Sequence, residues 1–256
     1  MTMEDVIEYW DRRPCNVRHS QAPVGSREWS DEVTRRKYFV EPHIPAFAQF
    51  SRWRDKNVLE IGCGIGTDTL EFCRAGARVF AIDASAQSVD IAYDRVVKLN
   101  GFSDAWIHCV DAEEWIPWHG RDGKFDLVYS FGVLHHTPNP ERVLQNIRRA
   151  ISGEGELRVM LYNKRCLKRF LGEQPEAQAN CPLARAYTMA EAVSLFEHCG
   201  FEVVGAAKAH VFTYRIEDYV RYRYVKRWYY RLMPGSFLRW LERHFGEHLL
   251  IVAKKA

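Results

Sequence analysis

Apolar and polar positions along the chain follow two periods in turn. Short apolar runs at 57–61 (NVLEI), 78–82 (RVFAI), 105–110 (AWIHCV), 125–130 (FDLVYS), 155–162 (GELRVMLY), 201–208 (FEVVGAAK) and 248–255 (HLLIVAKK) predict buried strands. Between them the pattern turns helical. TDTLEFCR, from Thr67, predicts a helix stopped by Gly76. Ser85 caps a helix whose apolar positions Val89, Ala92, Tyr93, Val96 and Val97 share one face, and Asn100-Gly101 ends it. Asn139-Pro140 opens a helix to about Ile151. Thr188 and Glu191 form a capping box for a helix that ends at Cys199-Gly200.

Strand–helix alternation of this kind predicts an α/β fold, with a parallel sheet covered on both faces. No regular crossover helix separates the last two strands, so the final strand is expected to be antiparallel. Three stretches fall outside the alternation: 1–56, 163–187 and 211–246. The expected organisation is a cap over 1–56 and a core over 57–256, with lid insertions at 163–187 and 211–246.

Composition narrows the function classes. The 256 residues suffice for one elaborated α/β domain, and 47% apolar with 27% charged is ordinary for a globular chain. A net charge of +3 does not mark a nucleic-acid binder. The N-terminus MTMEDVIEYW is acidic and lacks a secretory pattern, and no apolar run reaches the ~20 residues of a membrane span. Seven scattered cysteines without a CxxC spacing favour a cytoplasmic setting over a disulfide framework or a zinc knuckle.

The first strand carries the chemistry. Glu60 is followed by Gly62, Gly64 and Gly66, and then by the helix at Thr67. Glycines between a buried strand and a helix bring the backbone close to a ligand, at the strand ends where open parallel sheets bind. A dinucleotide fingerprint needs its third glycine at position 67, which is Thr, so NAD is disfavoured. Asp83 closes the second strand, where a carboxylate can accept from two ribose hydroxyls. A third acid, Asp111, ends the third strand, and the fourth ends in YSFGVLHH.

Together, Glu60-x-Gly-x-Gly-x-Gly, the two strand-end acids and FDLVYSFGVLHHTPNPERVL resemble the class I S-adenosylmethionine-dependent methyltransferases over roughly 57–162. The resemblance implies a Rossmann-like seven-stranded sheet in order 3-2-1-4-5-7-6 with the seventh strand antiparallel. It places Gly62 and Gly64 under the methionine portion of the cofactor, Asp83 at the ribose, Asp111 with Ala112 at the adenine, and Ser130 at the amino-acid end. Glu60, Cys63 and Ala84 complete that set, Cys63 as a small filler rather than a nucleophile. The helix N-terminus at Thr67 suits the methionine carboxylate.

Methyl transfer is mostly proximity and orientation, and a hydroxyl or protonated amine acceptor also needs a base. His135 and His136 are the candidates, with ordering of their own loop as the competing role. No metal ion is expected, because SFGVLHH supplies no convergent acids. Arg36, Tyr38, His43 and Arg215 are the expected substrate contacts. Between Tyr214 and Phe245, eight Lys/Arg and ten aromatics face three acids. That composition suits a helical lid, a peripheral membrane contact or, less well, a nucleic-acid platform. The expected reaction is methylation of an oxygen or nitrogen on a small or lipid-like, acidic acceptor. RNA methylation, and a catalytically silent module that binds the cofactor or its product S-adenosylhomocysteine, are the alternatives.

Overall fold

The computed structural model describes residues 2–115, 124–171 and 181–256. Its strands are β1 (Asn57–Ile61), β2 (Arg78–Asp83), β3 (Trp106–Cys109), β4 (Phe125–Phe131), β5 (Ile151–Tyr162), β6 (Phe201–Ala209) and β7 (His248–Lys255). They form one sheet in the order β3-β2-β1-β4-β5-β7-β6. Parallel pairing runs from β3 through β5, while β7 is antiparallel to both β5 and β6. The Rossmann-like methyltransferase topology is therefore present, including the reversed last strand.

Helices α1 (Met3–Arg12), α2 (Arg27–Val40) and α3 (His43–Ala48) precede the sheet. Helices α4 (Thr67–Arg74), α5 (Ala86–Tyr93), α6 (Pro140–Ala150), α7 (Leu167–Phe170) and α8 (Met189–His198) lie between strands. The β6–β7 connection holds α9 (Ile216–Tyr219), α10 (Trp228–Arg231) and α11 (Gly235–Phe245). The predicted caps are formed: Ser85 accepts from the Ser88 amide, Asn139 from Arg142, and Thr188 with Glu191 closes a capping box.

Alternation along the strands decides the two faces. Leu59, Ile61 and Val128 pack with Val143, Leu144 and Ile147 of α6 and Phe196 of α8. Val58, Val79, Ala81 and Leu127 face Phe47 of α3, Leu70 and Phe72 of α4, and Val89 and Ala92 of α5. Each such buried side chain contributes about 1.5–3 kcal/mol, which fixes the sheet between its helical layers. None of the described helices is long and apolar enough to cross a membrane.

Two local readings change. β5 starts at Ile151, because this fully buried residue leaves α6 directly into pairing with Phe125, ahead of a register shift. After α5 the backbone winds into a π-helical turn over Asp94–Leu99. The wider turn rotates the apolar stripe, so Tyr93 is exposed while Arg95 is fully buried beside Val96.

Candidate functional site

The loop after β1 is shaped by Gly62 and Gly64 for different reasons. Gly62 has φ +75°, and a Cβ there would meet Val133 Cγ2 at 2.0 Å. Gly64 has φ +53° but opens onto empty space, the cradle that a close-lying ligand requires. The Gly64 amide donates to Asp83 Oδ2 at 2.8 Å, and the Ser85 amide donates to Oδ1 at 2.9 Å. Burial raises the Asp83 carboxyl above its usual range against the pull of these amides.

These groups border a cavity of about 240 Å³ at the carboxyl ends of the strands. Its floor is Gly62, Gly64, Asp83, Ala84 and Ala112. Phe131, Gly132 and Val133 after β4, with Met160 and Tyr162 of β5, form one wall together with His136 and His248. The roof is α1, through Met3, Val6, Ile7 and Trp10, and the end of α2, through Lys37 and Glu41. Trp10 meets His136 edge-on with ring centroids 5.3 Å apart. Asp11 fastens α1 by accepting from Ser85 Oγ at 2.7 Å.

A methyltransferase-domain family model matches residues 33–206, which takes in the C-terminal part of α2, the glycine loop and both strand-end acids. The chain belongs to this methyltransferase family. Its cofactor is accordingly S-adenosylmethionine. The Escherichia coli K12 tRNA 5-carboxymethoxyuridine methyltransferase is 26% identical over 215 residues, covering 77% of this chain and 79% of the relative. A ubiquinone biosynthesis O-methyltransferase from Hydrogenovibrio crunogenus is 27% identical over 112 residues, 44% of this chain and 45% of its own length. Among solved structures, the complex of the Haloferax volcanii Trm112 methyltransferase activator with a methyltransferase shares the fold. The TM-score is 0.65 at 17% identity, covering 98% of this chain and 96% of the other.

Within the methyltransferase the predicted cofactor residues divide. Gly62, Gly64, Asp83, Ala84 and Ala112 reach the cavity, and Glu60, Cys63, Asp111 and Ser130 do not line it. Glu60 faces α4 and accepts from the Thr69 hydroxyl at 2.5 Å. Burial, with the Asp68 charge beside it, raises its carboxyl to about 8. Ser130 is fully buried and donates to the Ile61 carbonyl at 3.1 Å, which ties β4 to β1. Asp111 accepts from the Glu113 amide at 2.8 Å, and the chain just beyond it, 116–123, lies outside the described residues. Cys63 is buried, with its thiol pushed well up by that burial.

The histidine pair also separates. His136 lines the cavity; His135 lies behind it, fully buried, with its ring 3.7 Å from that of Tyr162. The segment 181–187 braces the pair. His136 Nδ1 is 2.5 Å from the Leu183 carbonyl and 3.3 Å from Cys181 Sγ, and the Arg185 amide donates to the His135 carbonyl. Burial lowers both imidazoles, so both are neutral near pH 7.

None of the four expected substrate residues lines the cavity. The Arg36 guanidinium lies 4.3 and 4.4 Å over the Tyr219 and Tyr222 rings and donates to the Tyr219 carbonyl, joining α2 to α9. Tyr38 donates to Asp68 at 2.8 Å, beside the buried Lys37–Asp68 ion pair at 2.7 Å. His43 Nε2 lies 2.9 Å from His248 Nδ1. Arg215 is half exposed and paired with Glu217 and Asp218, and Asp218 also holds Arg223. Arg215, expected as a contact to an acidic substrate, is thus neutralised by carboxylates of its own segment.

The connection over 211–246 stays out of the cavity: its part around α9 packs against α2, and α10 and α11 cluster with Leu167 of α7. Phe39 of α2 packs on Tyr224, and the Tyr222 hydroxyl donates to the Arg18 carbonyl. Residues that sequence reasoning did not single out for the site include Lys37, Glu41, Tyr162 and His248. Tyr162 and His248 stand at the cavity end of their strands, the one signal that would have found them.

Proposed function

We propose that the methyltransferase alkylates an oxygen atom on a small, largely apolar acceptor held between His136, Tyr162 and the roof helix α1. Gly64, Asp83, Ala84 and Ala112 would hold the cofactor, and the open space over Gly64 beside a buried carboxylate fits it. When bound, S-adenosylmethionine supplies an electrophilic methyl group on a sulfonium. What remains for the chain is to orient the acceptor, exclude water and take a proton.

His136 is the observation that carries this reading. Its Nδ1 faces a carbonyl, which only accepts, so Nδ1 bears the proton and Nε2 keeps its lone pair. A neutral imidazole in a closed cavity can accept the proton an acceptor hydroxyl loses. Trp10 over His136, with Val6 and Ile7, shields that transfer from solvent. The cavity is below the ~300–1,000 Å³ usual for ligand sites. Helix α1 must therefore shift to admit cofactor and acceptor together.

Oxygen is favoured over nitrogen by the ubiquinone-biosynthesis relative, which is an O-methyltransferase. A uridine carried on tRNA is the second reading. It is supported by the relative at 26% identity and by the exposed Arg221, Lys226, Arg231, Arg239 and Arg243 of the β6–β7 connection.

Labelled methyl transfer tests both. Incubated with a metabolite extract and with tRNA, the protein is expected to label the organic-soluble fraction. Label confined to nuclease-sensitive material would replace the first reading by the second. His136→Asn is expected to lower kcat about 10²- to 10⁴-fold while S-adenosylhomocysteine affinity stays unchanged. An unaltered kcat would remove His136 as the base.

A further inference from the structure

Four side chains that no sequence motif groups together meet where β7 begins. Glu41 follows α2, His43 opens α3, His210 follows β6 and His248 opens β7. One donor atom each from Glu41, His210 and His248 lie within 4.8 Å of one another. His248 Nε2 is 3.9 Å from Glu41 Oε1, and the His210 and His248 rings stack at 4.9 Å between centroids. Both histidines are buried, and Glu41 and His248 line the cavity. We propose that Glu41, His210 and His248 bind one divalent transition-metal ion of the Zn2+ type on the acceptor side of that cavity.

The donor set suits this ion. Two imidazoles and a carboxylate, with a further position open toward a cavity, are a recurrent zinc arrangement, and two nitrogen donors argue against magnesium or calcium. Around an ion with ligands at about 2.0–2.1 Å, tetrahedral donors stand roughly 3.3 Å apart. The present separations exceed this by at most about 1.5 Å, and side-chain rotamer changes can close such a gap. Both imidazoles are kept neutral by burial, the form that ligates, and His210 is lowered to about 3.

His43 supplies the outer support that metal-bound imidazoles usually have. With His248 Nε2 on the ion, the proton sits on Nδ1 and is donated to His43 Nε2, 2.9 Å away. The two nearby ammonium groups are each neutralised by another acid, Lys37 by Asp68 and Lys168 by Glu247, both at 2.7 Å. Glu41 has neither lysine as an ion-pair partner, and burial raises its carboxyl to about 7, which a bound cation would reverse. His210 itself sits at φ +68°, in the left-handed region that histidine and asparagine enter more readily than most residues. Only the further step, that the open position takes an acceptor oxygen, rests on the proposed function.

The metal-stripped full chain, titrated with Zn2+ in a calorimeter and with Co2+ followed by visible absorption, tests the site without any methyl transfer. One Zn2+ per chain is expected, with Co2+ bands of nitrogen and oxygen ligation. His210→Asn keeps a residue that tolerates the left-handed backbone and is expected to lower affinity at least roughly tenfold, and His43→Asn about 10- to 100-fold. If His210→Asn does not fold, Glu41→Gln reads the same loss. Absence of saturable uptake, a thiolate charge-transfer band, or full affinity in the folded variants would overturn the site.

Discussion

Glu60 shows how far a single position can be read. Its place before the glycines was visible in the sequence, yet strand alternation turns its side chain away from the face of Leu59 and Ile61, toward Thr69 of α4. Such partners are set by packing between distant elements, which residue order does not display. The consequence is a pH dependence. Folding raises this carboxyl from 4.5 to about 8, chiefly by burial. The folded chain therefore keeps a proton that the unfolded chain sheds between those values. The stabilisation is full below 4.5 and is lost as pH rises through about 8, by at most about 1.4 kcal/mol per pH unit. Denaturant midpoints of Glu60→Gln should lack this part of the slope; an identical slope in wild type and variant would show that another group carries it.

At the scale of elements, the π-helical turn after α5 places Arg95 where no apolar periodicity predicts a cation. Its guanidinium donates to Ser30 Oγ at 2.9 Å and the Ser30 carbonyl at 2.7 Å on α2, and to Thr67 Oγ1 at 2.7 Å at the start of α4. Burial lowers it to about 10. Arg95 thus joins α2 to the end of the glycine loop. Arg95→Met would leave the Ser30 carbonyl and the Thr67 hydroxyl short of a partner. It is expected to cost about 2–3 kcal/mol in urea unfolding, with faster amide exchange concentrated in α2. Unchanged stability and exchange would mean that α2 is held by its Trp29 and Val33 packing alone.

For the whole molecule, legibility follows the range of the interactions. Strand order, the reversed β7 and the glycine loop that borders the cavity were readable because each is carried by a local signal: a buried run, a cap or closely spaced glycines. The cavity wall was not. It assembles His136, Tyr162 and His248 from three separate elements, and the aromatic and basic segment 211–246 does not reach the cavity. Capping and periodicity say nothing about which strand ends will face one another across the sheet edge. Arg215 illustrates the point: its charge was legible, its neutralisation by Asp218 in the folded segment was not.

The central claim is that the cofactor lies across Gly64 and against Asp83, and calorimetric titration with S-adenosylhomocysteine tests it most directly. Wild type is expected to bind with one site per chain. Asp83→Ala should weaken that binding by about 1.5–3 kcal/mol, the range for hydrogen bonds to a charged group. Gly64→Val should abolish it, because its side chain would occupy the open space above the loop, and circular dichroism should show both variants folded. Wild-type affinity in either folded variant would contradict the placement of the cofactor and, with it, the orientation of the acceptor toward His136.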